Sequence, residues 1–475
     1  MQLLLVEDNK TFAQTVIDSL LRIPGTHITR ASSRRSALDA LAVGFFDAII
    51  LDLSLPLEDN LLDDAPEHGQ AVFHQAREVA PGTPIFILTG SDPDEFQLSL
   101  TRYGHQADVW GTGTTISTIV HYVKDRVDEL LVRLKEMSLD VSATDAITID
   151  TRGRALDLSV EQKRALKVFT RLRGGVSCVA RKLTGGLSDA RTIKLSVIDD
   201  NGHVKVLCVA KLGRKEHIRI ENAAFDSHVE LLRMGAATPR LNHLHMGLGR
   251  FAGIFYSLAE GYDDTFFDLV KNKPSEAPGV VEKLREALER WIGVGTVRQV
   301  KIRDIRRRLV DDDALGQVLS GTTIPRLAEI EDIEVRAFES CIHGDLHGGN
   351  VLVNHEGFPV LIDFGDVGHG YTCLDPVTLE LSFAFHPDCQ SNSLSKAFLD
   401  NLENWPNIEK FMQGTPYAAT IEACRDWAHD HGGSDKAVLA AGFAYAVRQL
   451  KYGTVSKERA LILINSIANQ LLDQA

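Results

Sequence analysis

The chain reads as an α/β protein, with a doubly wound parallel sheet at its start and a larger α+β region after it. Three observations lead to that class. Short apolar runs ending in acid or hydroxyl residues alternate with helical patterns through residue 90. Hairpin signals then cluster between residues 176 and 212, and helical periodicity dominates the last third. At 475 residues and 52.3 kDa the chain also exceeds one ordinary core, so two or three domains of about 100–200 residues are expected.

Composition narrows the function classes. Hydrophobic residues at 44% and charged residues at 24% are those of a soluble globular protein. No apolar run approaches the ~18 residues of a membrane span, and the start reaches acid at Glu7 and Asp8 too soon for a secretory leader. A cytoplasmic protein is expected. The net charge of −14 opposes binding to a phosphate backbone, and the basic run at 301–308 reads as a solvated helix face. The six cysteines have no paired metal-ligand spacing, so no zinc site or disulfide framework is implied.

In the first domain, apolar runs at residues 2–6, 46–51 and 84–88 end in Glu7-Asp8, Asp52 and Thr89-Gly90. Helical patterns at 11–21, 34–43 and 69–79 separate them. Ligands of such sheets collect at the carboxyl ends of the strands. Three carboxylates and one hydroxyl therefore converge on a hard-oxygen site suited to Mg²⁺, with one carboxylate left as a nucleophile for a phosphoryl group. The segment resembles a response-regulator receiver domain, a flavodoxin-like fold, most closely at Asp52-Leu53-Ser54-Leu55-Pro56. That resemblance implies that Glu7 and Asp8 are the metal-binding acids, Asp52 the phosphoacceptor and Thr89 the switch hydroxyl. Two departures stand out. The acidic stretch 57–68 lengthens the loop after Asp52. Receivers also carry a lysine after the fifth strand, where this chain has residues 107–113, and no lysine occurs between Lys10 and Lys124. The resemblance therefore implies a receiver that lacks its charge-assisted contact to the phosphoryl oxygen, with Lys10 as the one nearby substitute.

Ile116, Val120, Val123, Val127, Leu130, Leu134 and Met137 step by fours and threes, an apolar seam of about three heptads. Two readings follow: a helix that dimerises the protein as a coiled coil through residues 116–137, or one packed on its own sheet or on the next domain. Residues 138–154 lose periodicity and read as a polar linker with a short strand at 147–149.

The chemistry of the second region is concentrated in residues 341–366, CIHGDLHGGNVLVNHEGFPVLIDFGD. Phosphoryl transfer needs Mg²⁺ held against the phosphates and a carboxylate aimed at the attacking hydroxyl. Asp345 would accept the hydroxyl proton, while Asn350 and Asp363 would hold metal from the two ends of one short hairpin. This stretch resembles the protein-kinase-like superfamily in its aminoglycoside and choline phosphotransferase branch, through residues 343–350 and 362–366. Gly344, where protein kinases usually carry Arg, points to that branch. His343 and His347 have a metal-like spacing, but the glycines around them disfavour the helix it would need, so His343 is expected to brace the loop.

Upstream, Gly185 and Gly186 lie in a turn whose backbone can approach phosphate. Lys211 sits two strands later, where it would reach the α and β phosphates. The resemblance implies a carboxylate partner for Lys211, with Glu221 favoured over Glu230, and places adenine contacts at the hinge from Leu258 to Glu260. The expected domains are residues 1–123 for the receiver, 124–160 for a helical connector, 161–260 for a kinase-like N-lobe and 261–475 for the C-lobe, together a two-lobed α+β fold. The expected function is a two-component-type signalling protein, whose receiver is coupled to an ATP- and Mg²⁺-dependent phosphotransferase acting on a hydroxyl of a small molecule or a protein. A sensor histidine kinase is the partner implied. The alternative is a non-catalytic nucleotide-binding scaffold dimerised through the connector helix.

Overall fold

The computed structural model describes residues 1–90, 102–183, 190–390, 396 and 398–473. These fall into two compact units, one of residues 1–182, 190–218 and 240–257, the other of 183, 219–239 and 258–473.

The first unit begins with a five-stranded, wholly parallel sheet in the order His27–Ala31, Gln2–Val6, Ala48–Asp52, Ile85–Thr89, Ile119–Val123. Both faces are covered, which is why the inner strands are continuous apolar runs. Leu3, Leu5, Ile50, Phe86 and Leu88 line one face, and Leu4, Val6, Ile49, Leu51 and Ile87 the other. Helix Lys10–Leu20 starts at Asn9, whose side chain accepts from Thr11 N and Phe12 N, and helix Arg34–Val43 starts at a capping box of Ser33 and Ser36.

The segment expected as a seam helix behaves differently. Ile116–Ser117 and Ile119–Val123 are strands, and the helix begins at Val127 and ends at Asp145. Leu130, Leu134, Met137 and Val141 of that helix are buried in the core of the parallel sheet. Burial of such side chains contributes about 1.5–3 kcal/mol each, so the apolar stripe is consumed within the domain. Of the two readings of this seam, packing of the helix on its own sheet is the one that this burial supports.

The same unit contains a six-stranded sheet in the order Arg240–Leu244, Phe251–Ser257, Val204–Arg214, Arg191–Ile198, Ser177–Lys182, Thr148–Asp150. Part of the expected polar linker thus supplies its edge strand. Helix Val160–Leu172 covers this sheet with Ala165, Leu166 and Phe169, the last stacked on Phe255 at 3.9 Å. Its other side reaches the parallel sheet. Arg164 forms an ion pair with Asp47 at 2.9 Å with both groups buried, and the Arg171 guanidinium donates to Trp110 O and to Thr144 Oγ1. Gly247 N donates to Pro81 O at 2.9 Å, so the two sheets form one body.

The second unit is mainly helical. A ribbon of Val351–Val353 and Pro359–Leu361 lies beside Asp264–Thr265, and a second small sheet joins Thr296–Lys301, Glu334–Ile342 and Gly368–Tyr371. Helices Leu374–Phe385, Ala418–Gly432, Asp435–Gln449 and Lys457–Asp473 lie in the last third of the chain, the part where helical periodicity dominates the sequence. Leu374–Phe385 is buried on every side. It tolerates Glu380 because Arg425 meets that carboxylate at 2.7 Å and Trp405 Nε1 donates to it at 2.7 Å. Among the described residues no helix is long and apolar enough to cross a membrane.

Candidate active site

Two polar sites stand at strand ends. In the parallel sheet, Glu7, Asp8 and Asp52 gather with ligand oxygens within 4.8 Å of one another. Glu7 Oε1 accepts from Asn9 N and Asp52 Oδ1 from Ser54 N, each at 3.1 Å. Thr89 is buried at the end of its strand, its Oγ1 3.0 Å from His121 Nε2.

The expected absence of a lysine is overturned. The fifth strand of the sheet is Ile119–Val123, so the stretch 107–113 precedes it rather than follows it, and the residue after the strand is Lys124. Its Nζ lies 2.7 Å from Asp52 Oδ2 and 2.8 Å from Glu7 Oε2. Lys10 is exposed at the start of the first helix and is not needed as a substitute. One ammonium serves two buried carboxylates, so negative charge is in excess. Burial, followed by the charge of Asp52, pushes Glu7 up to about 7. Burial likewise raises Asp52. Burial works against the charge of Lys124, but Asp52 and Glu7 outweigh it and hold the ammonium above its ordinary value. Uncompensated hard oxygen donors in this arrangement fit a divalent cation such as Mg²⁺.

In the second unit, the chain leaves strand Glu334–Ile342 into a loop that its surroundings fix tightly. Asp375 accepts from His343 N at 2.7 Å and from Gly344 N at 2.9 Å. His343 is fully buried and its Nε2 donates to Ile362 O at 3.2 Å, which is the bracing expected of it. Gly344 has φ +80°, and a Cβ there would lie 2.4 Å from Asp366 O. A side chain is excluded at this position on both counts.

Asp345, Asn350 and Asp363 come together at one end of the two-stranded ribbon. Asn350 Nδ2 donates to Asp345 O at 2.9 Å, and Ile362 N donates to Asn350 O at 3.1 Å, which sets Asp363 next to the pair. With its amide nitrogen committed, Asn350 has its Oδ1 left for a hard cation. Asp363 adopts φ +65°, a left-handed conformation uncommon for a residue with a Cβ. Phe364 behind it is fully buried, edge-on to Phe225 at 5.7 Å. Its N–H donates to Glu221 Oε1 at 3.4 Å.

Arg448, on helix Asp435–Gln449, was not legible as a site residue. Its Nη1 donates to Asp345 Oδ1 at 2.8 Å. Burial raises Asp345, but Arg448 first, then His347 and His343, outweighs it and holds the carboxyl well below its ordinary range. Burial pushes His347 down to about 4, so it is neutral at pH 7 beside Phe267 and His386.

The remaining expected residues divide. Gly185 and Gly186 lie outside the described residues. Lys211 is buried on strand Val204–Arg214. Glu221 is buried on helix Lys215–Ser227, whereas Glu230 is exposed in the turn Val229–Leu231. Leu258 is buried and Glu260 exposed.

Comparison with known proteins finds relatives for both the C-terminal and the N-terminal part of the chain. Residues 223–402 match the family model described as "Phosphotransferase enzyme family". The C-terminal part is a phosphotransferase-family domain. The N-terminal part matches receiver domains. It is similar to "Transcriptional regulatory protein DltR" of Streptococcus agalactiae serotype III (strain NEM316), 33% identical over 89 residues, 19% of this chain and 35% of that protein. Among solved structures it is similar to the Francisella response regulator 1452 receiver domain, at 20% identity, covering 30% of this chain and 98% of that one with a TM-score of 0.22. The phosphotransferase-family domain is similar to a thermostable mutant of aminoglycoside phosphotransferase APH(4)-Ia in its apo form, at 12% identity, covering 62% and 94% with a TM-score of 0.34. The chain spans less than half the length of the curated relatives it matches.

Proposed function

We propose that the protein is a cytoplasmic signalling protein of the two-component type, in which the receiver domain is joined to a phosphotransferase that moves the γ-phosphoryl group of ATP to a hydroxyl acceptor. The observation that carries this reading is the meeting of Asp345, Asn350 and Asp363 through two backbone-anchored hydrogen bonds on a ribbon braced by His343 and Asp375. In the transfer, the bond from the γ-phosphorus to the bridging oxygen breaks and a bond to the acceptor oxygen forms. The acceptor proton passes to Asp345, whose main task in a loose transition state is to orient the hydroxyl. Asn350 and Asp363 would hold Mg²⁺, which supplies charge neutralisation on the phosphates. Lys211 would contact the nucleotide phosphates, Glu221 would position it, and Gly185, Gly186, Leu258 and Glu260 would complete the nucleotide contacts.

For the receiver, the proposed phosphoacceptor is Asp52, with Glu7 and Asp8 as metal ligands, Lys124 as the cation that meets the phosphoryl oxygen and Thr89 as the switch hydroxyl. The donor would be a sensor histidine kinase. The test uses purified full-length chain with γ-labelled ATP and Mg²⁺. Asp345→Asn is expected to lower label transfer or ATP hydrolysis by roughly 10²–10⁴-fold, and turnover unaffected by that substitution removes the mechanism.

A further inference from the structure

Asp345 and Arg448 are separated by 103 positions in the chain, yet they form an ion pair at the proposed transfer site. The carboxylate is held from two directions. Its backbone carbonyl accepts from Asn350 Nδ2 and from His347 N, both at 2.9 Å, and its Oδ1 accepts from Arg448 Nη1 at 2.8 Å. Arg448 is itself held, because its Nε donates to Tyr452 Oη at 3.2 Å. Oδ2 is in a different position. Among the described residues Oδ2 accepts no hydrogen bond, and His347 Nε2 stands 3.8 Å from it, too long for one. The Asp345 side chain keeps 27% of its surface open and that of Arg448 15%, so the pair borders accessible space.

A carboxylate that must orient a hydroxyl is useful only if one oxygen keeps a fixed direction, and a short Asp side chain fixed only through its backbone can still turn about its two χ angles. We propose that Arg448 is a positioning residue for the transfer, clamping Oδ1 of Asp345 so that Oδ2 alone is presented to the acceptor hydroxyl. The inference rests on the phosphotransferase reading above and adds a residue to it. Tyr452 acts one step further out, by fixing the guanidinium. Neither residue is placed in the nucleotide contacts, so their removal acts on turnover and leaves ATP binding alone.

The experiment follows hydrolysis of Mg·ATP by the full chain, with water as acceptor, in a double-mutant cycle. Arg448→Met is expected to lower kcat by roughly 10–100-fold, with KM for ATP within about twofold of wild type. Arg448→Lys is expected to recover part of the loss. Tyr452→Phe, which keeps the ring and removes only the acceptor hydroxyl, is expected to lower kcat by about 2–5-fold. In an Asp345→Asn background both effects shrink to less than about twofold, because the group through which they act is already gone. Wild-type kcat in both Arg448→Met and Tyr452→Phe overturns the proposal, as does a loss of the same size with or without the Asp345 carboxylate. Wild-type turnover in Asp345→Asn itself is a separate result, and it removes the phosphotransferase mechanism on which the clamp depends.

Discussion

Replacing Lys124 by Met tests the receiver site most directly, because a single ammonium neutralises two buried carboxylates there. Its two contacts, 2.7 Å to Asp52 and 2.8 Å to Glu7, are charge-assisted and together would contribute a few kcal/mol in a dry site. The lysine side chain is 21% exposed, and Glu7, already raised to about 7 by burial and then by Asp52, can escape part of the cost by taking up a proton. The net loss expected at pH 8 without divalent cation is about 2 kcal/mol. For a cooperative unit of this size that is roughly a 4–8 °C fall in Tm. The sign of the pH dependence follows from the raised carboxyl. Its protonated form is favoured in the folded state, so the penalty grows as pH rises from the ordinary glutamate range through about 7 and is smaller at pH 6 than at pH 8. Thermal melts in EDTA at the two pH values measure it, and Mg²⁺ is expected to restore much of the loss. In parallel, incorporation of acid-labile phosphate from acetyl phosphate should fall at least about tenfold. A Lys124→Met protein with wild-type Tm in EDTA and wild-type phosphate incorporation would refute the role assigned to this lysine.

Three further outcomes are expected. Mg²⁺ binding to the Glu7, Asp8 and Asp52 site should weaken about tenfold between pH 8 and pH 6, as Glu7 takes up a proton that competes with the cation; titration calorimetry at both values measures it. Gly344→Ala forces a Cβ to within 2.4 Å of Asp366 O at φ +80°, so destabilisation of at least about 2 kcal/mol is expected in a denaturant melt, together with loss of turnover. Leu130→Asp introduces a charge into the core of the parallel sheet, so unfolding of that sheet is expected by circular dichroism, whereas a folded protein of reduced oligomeric mass by light scattering would restore the coiled-coil reading.

Much of the site was legible because it is local. Asp345, Asn350 and Asp363 sit on one loop-ribbon-loop segment, where strand periodicity and turn residues fix their spacing without reference to the rest of the chain. Gly344 was legible for the same reason, since positive φ and close backbone approach are written in the residue type. The fifth strand of the receiver was not. Ile119–Val123 is only half-buried along most of its length, and steps of four and three from Ile116 continue smoothly into the true helix at Val127, so a strand and a helix share one apolar pattern. Misplacing that strand hid Lys124, whose meaning lies entirely in being the residue that follows it.

The amino-acid sequence by itself determined the class of each half, the acids at the strand ends and the order of groups along the transfer loop, because hydrophobic period and turn chemistry act over a few residues. Tertiary structure decided the rest. It brought Lys124 to Asp52 across 72 positions and Arg448 to Asp345 across 103. It also buried Glu221 while leaving Glu230 exposed, and it spent the apolar seam of Val127–Asp145 inside one domain. Each of these depends on which surfaces meet when the sheets are covered, and a pattern that repeats along one segment carries no record of the segment it will face.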